Sequence, residues 1–450
     1  MGGRTPPGSR RRTRTGDIVK SSTPRSMVAV YLLLFTMALI NYLDRVALSV
    51  AAKPIAAEFH LGPVEMGYLF SSFLWTYLLC LIPSGILADK YGARGVSAGG
   101  MGVWSIATVF TGLVGSFPAL FATRLVMGAG EATSYPCANK FIRDQVPAKN
   151  RGFATTIFNS GAYAGPALGA LVIGWLVSVF GWRAAFMLAG AVGLLWLAPW
   201  MIWFRNSRPE ASDVAAGSEA TAAMSGGVGL AGLLKSGSMW GIALTQGCAV
   251  YTQYLFLTWL PSYLQATKGM DIKEAAIYTA LPYGCAVLFG MLLGKFSDRV
   301  LRPGDAEAGK RRPMIGAMLL CSSVILAAPV VDNIWVIVLL LAVSLTGIAT
   351  AISLNMALAN DLLVHASDAG KANSIAIVGG NVFGILAPIV TGYLVAATSS
   401  YNYAFAAAGV LLLAGAAISQ VATRKRIGDN PLVDARPRRP TSSGVSMDSL

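Results

Sequence analysis

Residues 85–94 read GILADKYGAR, and residues 294–299 read GKFSDR. Both stretches follow G-x-x-x-D-[KR], and their aspartates, Asp89 and Asp298, lie 209 residues apart. Each closes a long apolar run, and each of those runs is the second in its part of the chain. A weaker echo joins NSGAYAGPALGALVIGWL (159–176) to VGGNVFGILAPIVTGYL (378–394). The 450 residues therefore divide into two similar halves.

The material of those halves is apolar. Hydrophobic residues make up 55% of the chain and charged residues 12%, the latter about half of the share usual in soluble domains. Mean hydropathy is positive. A soluble surface needs more charge than this, and a disordered chain far less hydrophobicity. Several runs reach the ~20 apolar residues that cross a bilayer core. Twelve helical spans are expected, roughly at 27–51, 64–88, 96–116, 118–142, 153–179, 183–205, 239–264, 274–297, 313–331, 333–362, 373–397 and 402–422. Spanning strands are excluded, because a barrel shows short alternating segments and these runs are continuous. The fold class is an all-α polytopic membrane protein.

The net charge of +14 sits largely at the ends. Residues 1–26 hold seven Lys/Arg against one acid, and residues 423–450 hold six against three. Basic tails can bind nucleic acid, but beside apolar spans they read as the positive-inside rule. The turns after the even spans agree: Lys90 and Arg94; Arg143, Lys149 and Arg151; Arg205 and Arg208; Arg299 to Arg312; Lys371. The opposite turns hold only Lys53, Arg183, Lys268 and Lys273. Both termini are expected in the cytoplasm, in a cell inner membrane. The domain plan is a basic tail (1–26), a six-helix half (27–205), a Gly/Ala/Ser-rich cytoplasmic linker (206–238), a second six-helix half (239–422) and a basic tail (423–450). Two parallel six-helix repeats are the layout in which a substrate site forms between repeats near mid-membrane.

Four ions break the apolar runs of the first half: Asp44 and Arg45 in span one, Arg124 and Glu131 in span four. The second half has no comparable mid-span ion. A charge near mid-bilayer costs roughly 2.5–3.5 kcal/mol on insertion scales, so such residues are functional by default. The competing reading is a buried ion network that only joins helices, which desolvation makes a poor stabiliser. Neighbours on a helix point about 100° apart, so Asp44 and Arg45 need not pair. Arg124 and Glu131, seven apart, share a face but sit about 10 Å apart along the axis. Ions from two helices lining one cavity fit this better than two isolated pairs. Arg45 is the candidate clamp for a carboxylate, because its planar fork matches that anion and stays charged. Glu131 and Asp44 are the candidate proton carriers, since burial and a nearby arginine act on a carboxyl in opposite directions.

Neutral polar candidates follow. Tyr77 offers a hydroxyl to a bound substrate, or is a core or interfacial aromatic. Gln246 and Asn381 are amides inside spans and should face a cavity or another helix. Ser160 and Ser353 are substrate contacts or small packing residues. At the cytoplasmic helix ends, Asp89, Lys90, Arg94, Asp298 and Arg299 include an acid in each repeat that flanking positive charge does not explain. They read as a latch that stabilises one state of an alternating-access cycle. Five scattered cysteines and two histidines form no metal or nucleophile–base set, so no enzyme activity, metal or cofactor is expected.

With these residues in hand, the chain resembles the major facilitator superfamily. GILADKYGAR resembles its motif between helices two and three. NYLDR (41–45), RLVMGAGEATSYP (124–136), FLTWLPSYL (256–264) and GGNVFGILAP (379–388) are similar to the anion:cation symporter family within it. The resemblance covers about residues 27–422. It implies the major facilitator fold and import of a small organic anion, such as a hexuronate, aldonate or aldarate, together with protons. It implies that Arg45 binds substrate, that Asp44 and Glu131 take up protons with Arg124 as partner to Glu131, and that Gln246 and Asn381 contact substrate. The partners expected are the anion, the proton and the lipid bilayer, with no nucleic acid and a monomeric carrier. Sodium coupling and export are the alternatives.

Overall fold

A computed structural model describes residues 24–203, 228–300 and 309–428. Most of both expected tails and of the expected linker, with Arg205 and Arg208, lies outside the described residues, as do positions 301–308 and the side chain of Asp298. The described chain is almost wholly helical: α1 Pro24–Val50, α2 Ala52–Phe59, α3 Pro63–Tyr91, α4 Ala93–Thr111, α5 Phe117–Glu131, α6 Ser134–Gln145, α7 Arg151–Trp203, α8 Gly229–Leu234, α9 Gly237–Thr267, α10 Ile272–Val300, α11 Arg311–Ser322, α12 Ile334–Asp361, α13 Ala369–Thr398 and α14 Asn402–Val421. Eight helical stretches are long and apolar enough to cross a membrane. The expected spans outside those eight fall on α4, the α5–α6 pair and α9. Among the described residues, strand pairing is limited to one isolated bridge, Leu363 with Ile427.

Two departures from the sequence expectation are local. Span four is not continuous: the helix breaks at Ala132 and Thr133, directly after Glu131. Spans five and six meet as expected in the turn at Gly181, whose φ of 80° favours glycine, and α7 denotes the two helices together. Span nine begins as α-helix and tightens to a 3-10 helix over Ser323–Val330. The stretch expected as linker ends in helix, with α8 and the first residues of α9 inside it.

The helices bury one large apolar cluster that draws on both halves and a second within the first half, around Leu34, Met37, Trp104 and Trp200. Large aliphatic side chains such as Leu79, Ile202 and Val330 are left outward. In water that would be a liability, but against hydrocarbon it is the favourable face. The bundle has two ends. One carries the first and last described residues, Pro24 and Gly428. The other, the distal end, carries the turns near residues 51–62, 112–116, 181, 268–271, 331–333 and 399–401.

Small residues set how closely α5 approaches its neighbours. A Cβ on Gly128 would collide with the Phe73 carbonyl of α3, and one on Gly130 would lie 2.8 Å from the Gly100 carbonyl of α4. Small-residue contacts of this kind let membrane helices pack backbone to backbone. Gly128→Ala is therefore expected to destabilise by about 1–3 kcal/mol through overpacking. Gly99→Ala, where nothing stands within 4 Å, should leave the melting temperature unchanged or raised. Equal melting temperatures for both variants in detergent would contradict the close approach of α3 and α5.

Candidate functional site

Glu131 ends α5 fully buried, and Gly128 and Gly130 let α5 lie close against α3 and α4. Glu131 meets Arg45 of α1. Arg45 Nε donates to Glu131 Oε2 at 2.8 Å, and both side chains are almost wholly buried. Arg45 Nη1 donates to the Tyr254 hydroxyl of α9 at 3.2 Å. One helix turn further on, Ser49 Oγ donates to the Thr258 carbonyl at 2.8 Å. These two bonds join the two halves.

The guanidinium is also boxed by rings. Its Cζ lies 4.6 Å from the Tyr42 centroid, 5.0 Å from Phe73 and 5.1 Å from Tyr77. Tyr42 precedes Arg45 by three residues, and Phe73 and Tyr77 are four apart, so each pair shares a helix face. Cation–ring contacts of this kind strengthen when desolvated. The Tyr42 and Tyr135 hydroxyls meet at 3.3 Å.

Several polar atoms at this centre have no protein partner. They are Arg45 Nη2, Glu131 Oε1, Arg124 Nε, the Asn41 carbonyl oxygen and both oxygens of Asp44. Buried polar atoms are normally satisfied, so this cluster of exceptions singles out the centre as the candidate site. Arg124 does not make the ion pair with Glu131 that the resemblance implies. Its Nη1 lies 2.8 Å from Met127 Sδ, and its Cζ is 5.6 Å from the Phe73 ring. Asp44 is fully buried, with the Trp104 indole beside its carboxylate.

The other sequence candidates are placed as follows. Tyr77 is buried against Arg45. Gln246 is buried, and its Oε1 accepts from Asn355 Nδ2 at 2.9 Å, a cross-link from α9 to α12. Asn381, half-buried, donates to the Ile377 carbonyl of its own helix at 3.0 Å. Ser160 and Ser353 likewise bond backward within their helices, to Ile157 and Ala349. None of these last three touches the Arg45–Glu131 pair in the described contacts. Tyr254, Tyr42 and Phe73 take part in the central network and Asn355 in the Gln246 cross-link, and none of the four was singled out from sequence. Tyr42 had a usable signal, its i−3 spacing from Arg45.

At the end bearing Pro24 and Gly428, Lys140 Nζ approaches Asp89 Oδ1 at 3.1 Å and Arg143 Nη2 stands 3.9 Å from it, linking α3 to α6. Lys90 lies over the Tyr91 ring, and Arg94 Nη2 donates to the Met201 carbonyl of α7. Arg299 is exposed. In the second half Arg311 pairs with Asp361 at 2.7 Å, linking α11 to α12.

The distal end is closed between the halves. A Cβ on Gly67 of α3 would lie 2.6 Å from the Pro388 carbonyl, and one on Gly392 of α13 would lie 2.5 Å from the Pro63 carbonyl. Trp259 Nε1 donates to the Pro388 carbonyl at 3.2 Å. Beside this closure, Glu58 at the end of α2 accepts from Arg183 and from Trp182 Nε1, and those hydrogen bonds, Arg183's first, hold its carboxyl below the usual range. Among the described residues, no three His, Cys, Asp or Glu side chains group as a metal site.

The sequence profile of the Major Facilitator Superfamily matches residues 34–305 and 286–444. A probable galactarate/D-glucarate transporter, GarP of Escherichia coli K12, is 32% identical over 405 residues, covering 84% of this chain and 90% of its own. A probable L-galactonate transporter of the same strain is 32% identical, covering 92% and 93%. A probable sulfoacetate transporter, SauU of Cupriavidus necator, is 32% identical, covering 85% and 90%. The crystal structure of a bacterial homologue of the human lysosomal transporter Spinster, inward-facing and occupied, superposes with a TM-score of 0.71 at 21% identity. It covers 90% of this chain and 98% of its own, a likeness of fold.

Proposed function

Because this chain belongs to the major facilitator superfamily, a family of multi-pass membrane transporters, we propose that it is a proton-coupled symporter importing a sugar acid by alternating access. Its two six-helix halves rock about a shared central site, with both termini in the cytoplasm of a cell inner membrane. The observation that carries the reading is the buried Arg45–Glu131 pair, bonded through Tyr254 to the opposite half. Relatives named for galactarate, D-glucarate and L-galactonate support the substrate class.

The cycle follows from what Arg45 can hold. A proton on Glu131 cancels its charge and frees the Nε side of the fork. A substrate carboxylate then takes the two parallel donors. Asp44, with neither oxygen partnered, is the second proton site. Tyr77 and Tyr254 present hydroxyls to the substrate's own. Release inside lets Glu131 lose its proton and recapture Arg45, which resets the empty carrier.

The test is uptake into liposomes containing the purified protein. D-Glucarate, galactarate and L-galactonate should accumulate under an inward proton gradient and stop accumulating with a protonophore. Accumulation driven by a sodium gradient alone, or efflux only, would replace this reading with one of the alternatives.

The latch reading of Asp89 gives a further expectation. Asp89→Asn removes the charge that Lys140 and Arg143 share, so the balance between the two end-open states should shift by a few-fold while substrate selectivity stays. The pairs are exposed, and exposed ion pairs contribute about 0.2–1 kcal/mol, which bounds the shift. Labelling of single cysteines placed at each end, unchanged by the substitution, would argue against a latch.

A further inference from the structure

The distal end carries a cavity of about 240 Å³ whose walls come from both halves. Lys53 of α2 and Pro63 of α3 form one side, and Trp259, Ser262 and Gln265 of α9 with Tyr401 form the other. Gln265 is 5% exposed, and neither its nitrogen nor its oxygen has a protein partner. A carboxamide offers two donors and two acceptor sites. Leaving all of them unmet in a buried side chain is unfavourable, and this side chain stands in the cavity wall. Lys53 is the one charged residue in the lining, and no carboxylate opposes it. The rings of Trp259 and Tyr401, 6.0 Å apart, add apolar faces. A cation, a carboxamide, a hydroxyl and two ring faces suit a small anion that also carries hydroxyls and C–H surface. The volume lies below the ~300–1,000 Å³ typical of drug-sized ligands.

We infer that this cavity is a second binding site for a small hydroxylated carboxylate, separate from Arg45, and that its ligand holds the distal end closed. The ligand class and the effect on the cycle rest on the transport reading above. The cavity adjoins the distal closure. Pro63 touches Gly392, and Trp259 is bonded to Pro388. Opening that end draws α2 and α3 away from α9 and divides the site. A ligand that binds only the closed form shifts the population toward it. High external anion therefore slows the carrier that low external anion feeds.

The probe is D-glucarate with the purified full-length protein, by titration calorimetry. Arg45→Ala should still bind one D-glucarate per chain, and adding Gln265→Leu or Lys53→Gln should weaken that binding at least tenfold. Wild-type uptake should pass through a maximum as external D-glucarate rises, and Gln265→Leu alone should remove the decline. Residual binding in Arg45→Ala that does not depend on Gln265, or none at all, overturns the site. Gln265-dependent binding by a protein that transports nothing leaves the site standing and removes the transport reading instead. Should Arg45→Ala not fold, stoichiometry decides. Two ligands per wild-type chain and one in Gln265→Leu support the site, and equal numbers mean the cavity holds water only.

Discussion

Arg45→Lys inserts and folds but loses uptake, by about 10–100-fold. Lysine keeps the positive charge, so Glu131 retains an ion partner and the bundle is not left with an isolated buried carboxylate. What disappears is the fork. Lysine is a point donor and cannot offer a carboxylate two parallel bonds while also reaching Tyr254. A hydrogen bond to a charged group contributes about 1.5–3 kcal/mol, and each ~1.4 kcal/mol is tenfold in affinity. The measurement is the initial rate of D-glucarate uptake, with reconstituted protein quantified in the same liposomes. Near-normal uptake by correctly inserted Arg45→Lys would remove Arg45 from the role of anion clamp.

Glu131→Gln separates coupling from binding. Glutamine imitates the protonated acid permanently, so Arg45 stays available to substrate. Exchange of labelled for unlabelled substrate should persist. Accumulation under a proton gradient should fail, by more than an order of magnitude, because the empty carrier has no carboxylate with which to recapture Arg45 and reset. A purely structural ion pair predicts a different outcome. Removing one member of a buried pair then costs roughly 3–5 kcal/mol and lowers folded yield. Exchange, gradient-driven uptake and melting temperature on one preparation tell these apart. Intact proton-driven accumulation would end the coupling role of Glu131 whatever its stability.

The fold was legible because the bilayer demands it. Continuous apolar runs admit only helices, and the duplicated G-x-x-x-D-[KR] divided them. The details that escaped are those where two conformations suit the same composition. The stretch Ala132–Thr133 is small and uncharged, and nothing in its polarity distinguishes a broken helix from a continuous one. Charge alone named Arg45 and Glu131. It could not say that they meet, because 86 residues separate them, and the family resemblance named Arg124 as the partner of Glu131. Tyr254 escaped for another reason. A tyrosine in an apolar span reads as packing until the group its hydroxyl reaches is known. Asn381 shows the opposite limit: an amide in a span can satisfy one donor on its own helix, as its bond to Ile377 does.

The bonds from Arg45 to Tyr254 and from Ser49 to Thr258 each span 209 residues. That is also the distance between the starts, and between the ends, of α3 (Pro63–Tyr91) and α10 (Ile272–Val300). With that offset carried back from α3 and α10 to α1 and α9, each bond connects counterparts in the two repeats. Counterparts can touch only where the symmetry axis relating the repeats passes between them. On the axis of a symmetric dimer a residue faces its own copy. A pair of unduplicated six-helix subunits would place arginine against arginine there, or tyrosine against tyrosine. Joining both copies in one polypeptide lets the two places differ, so a single guanidinium can occupy the axis with a hydroxyl opposite. The confinement of mid-membrane charge to the first repeat is then a broken symmetry, located where an unbroken one would set like charges face to face.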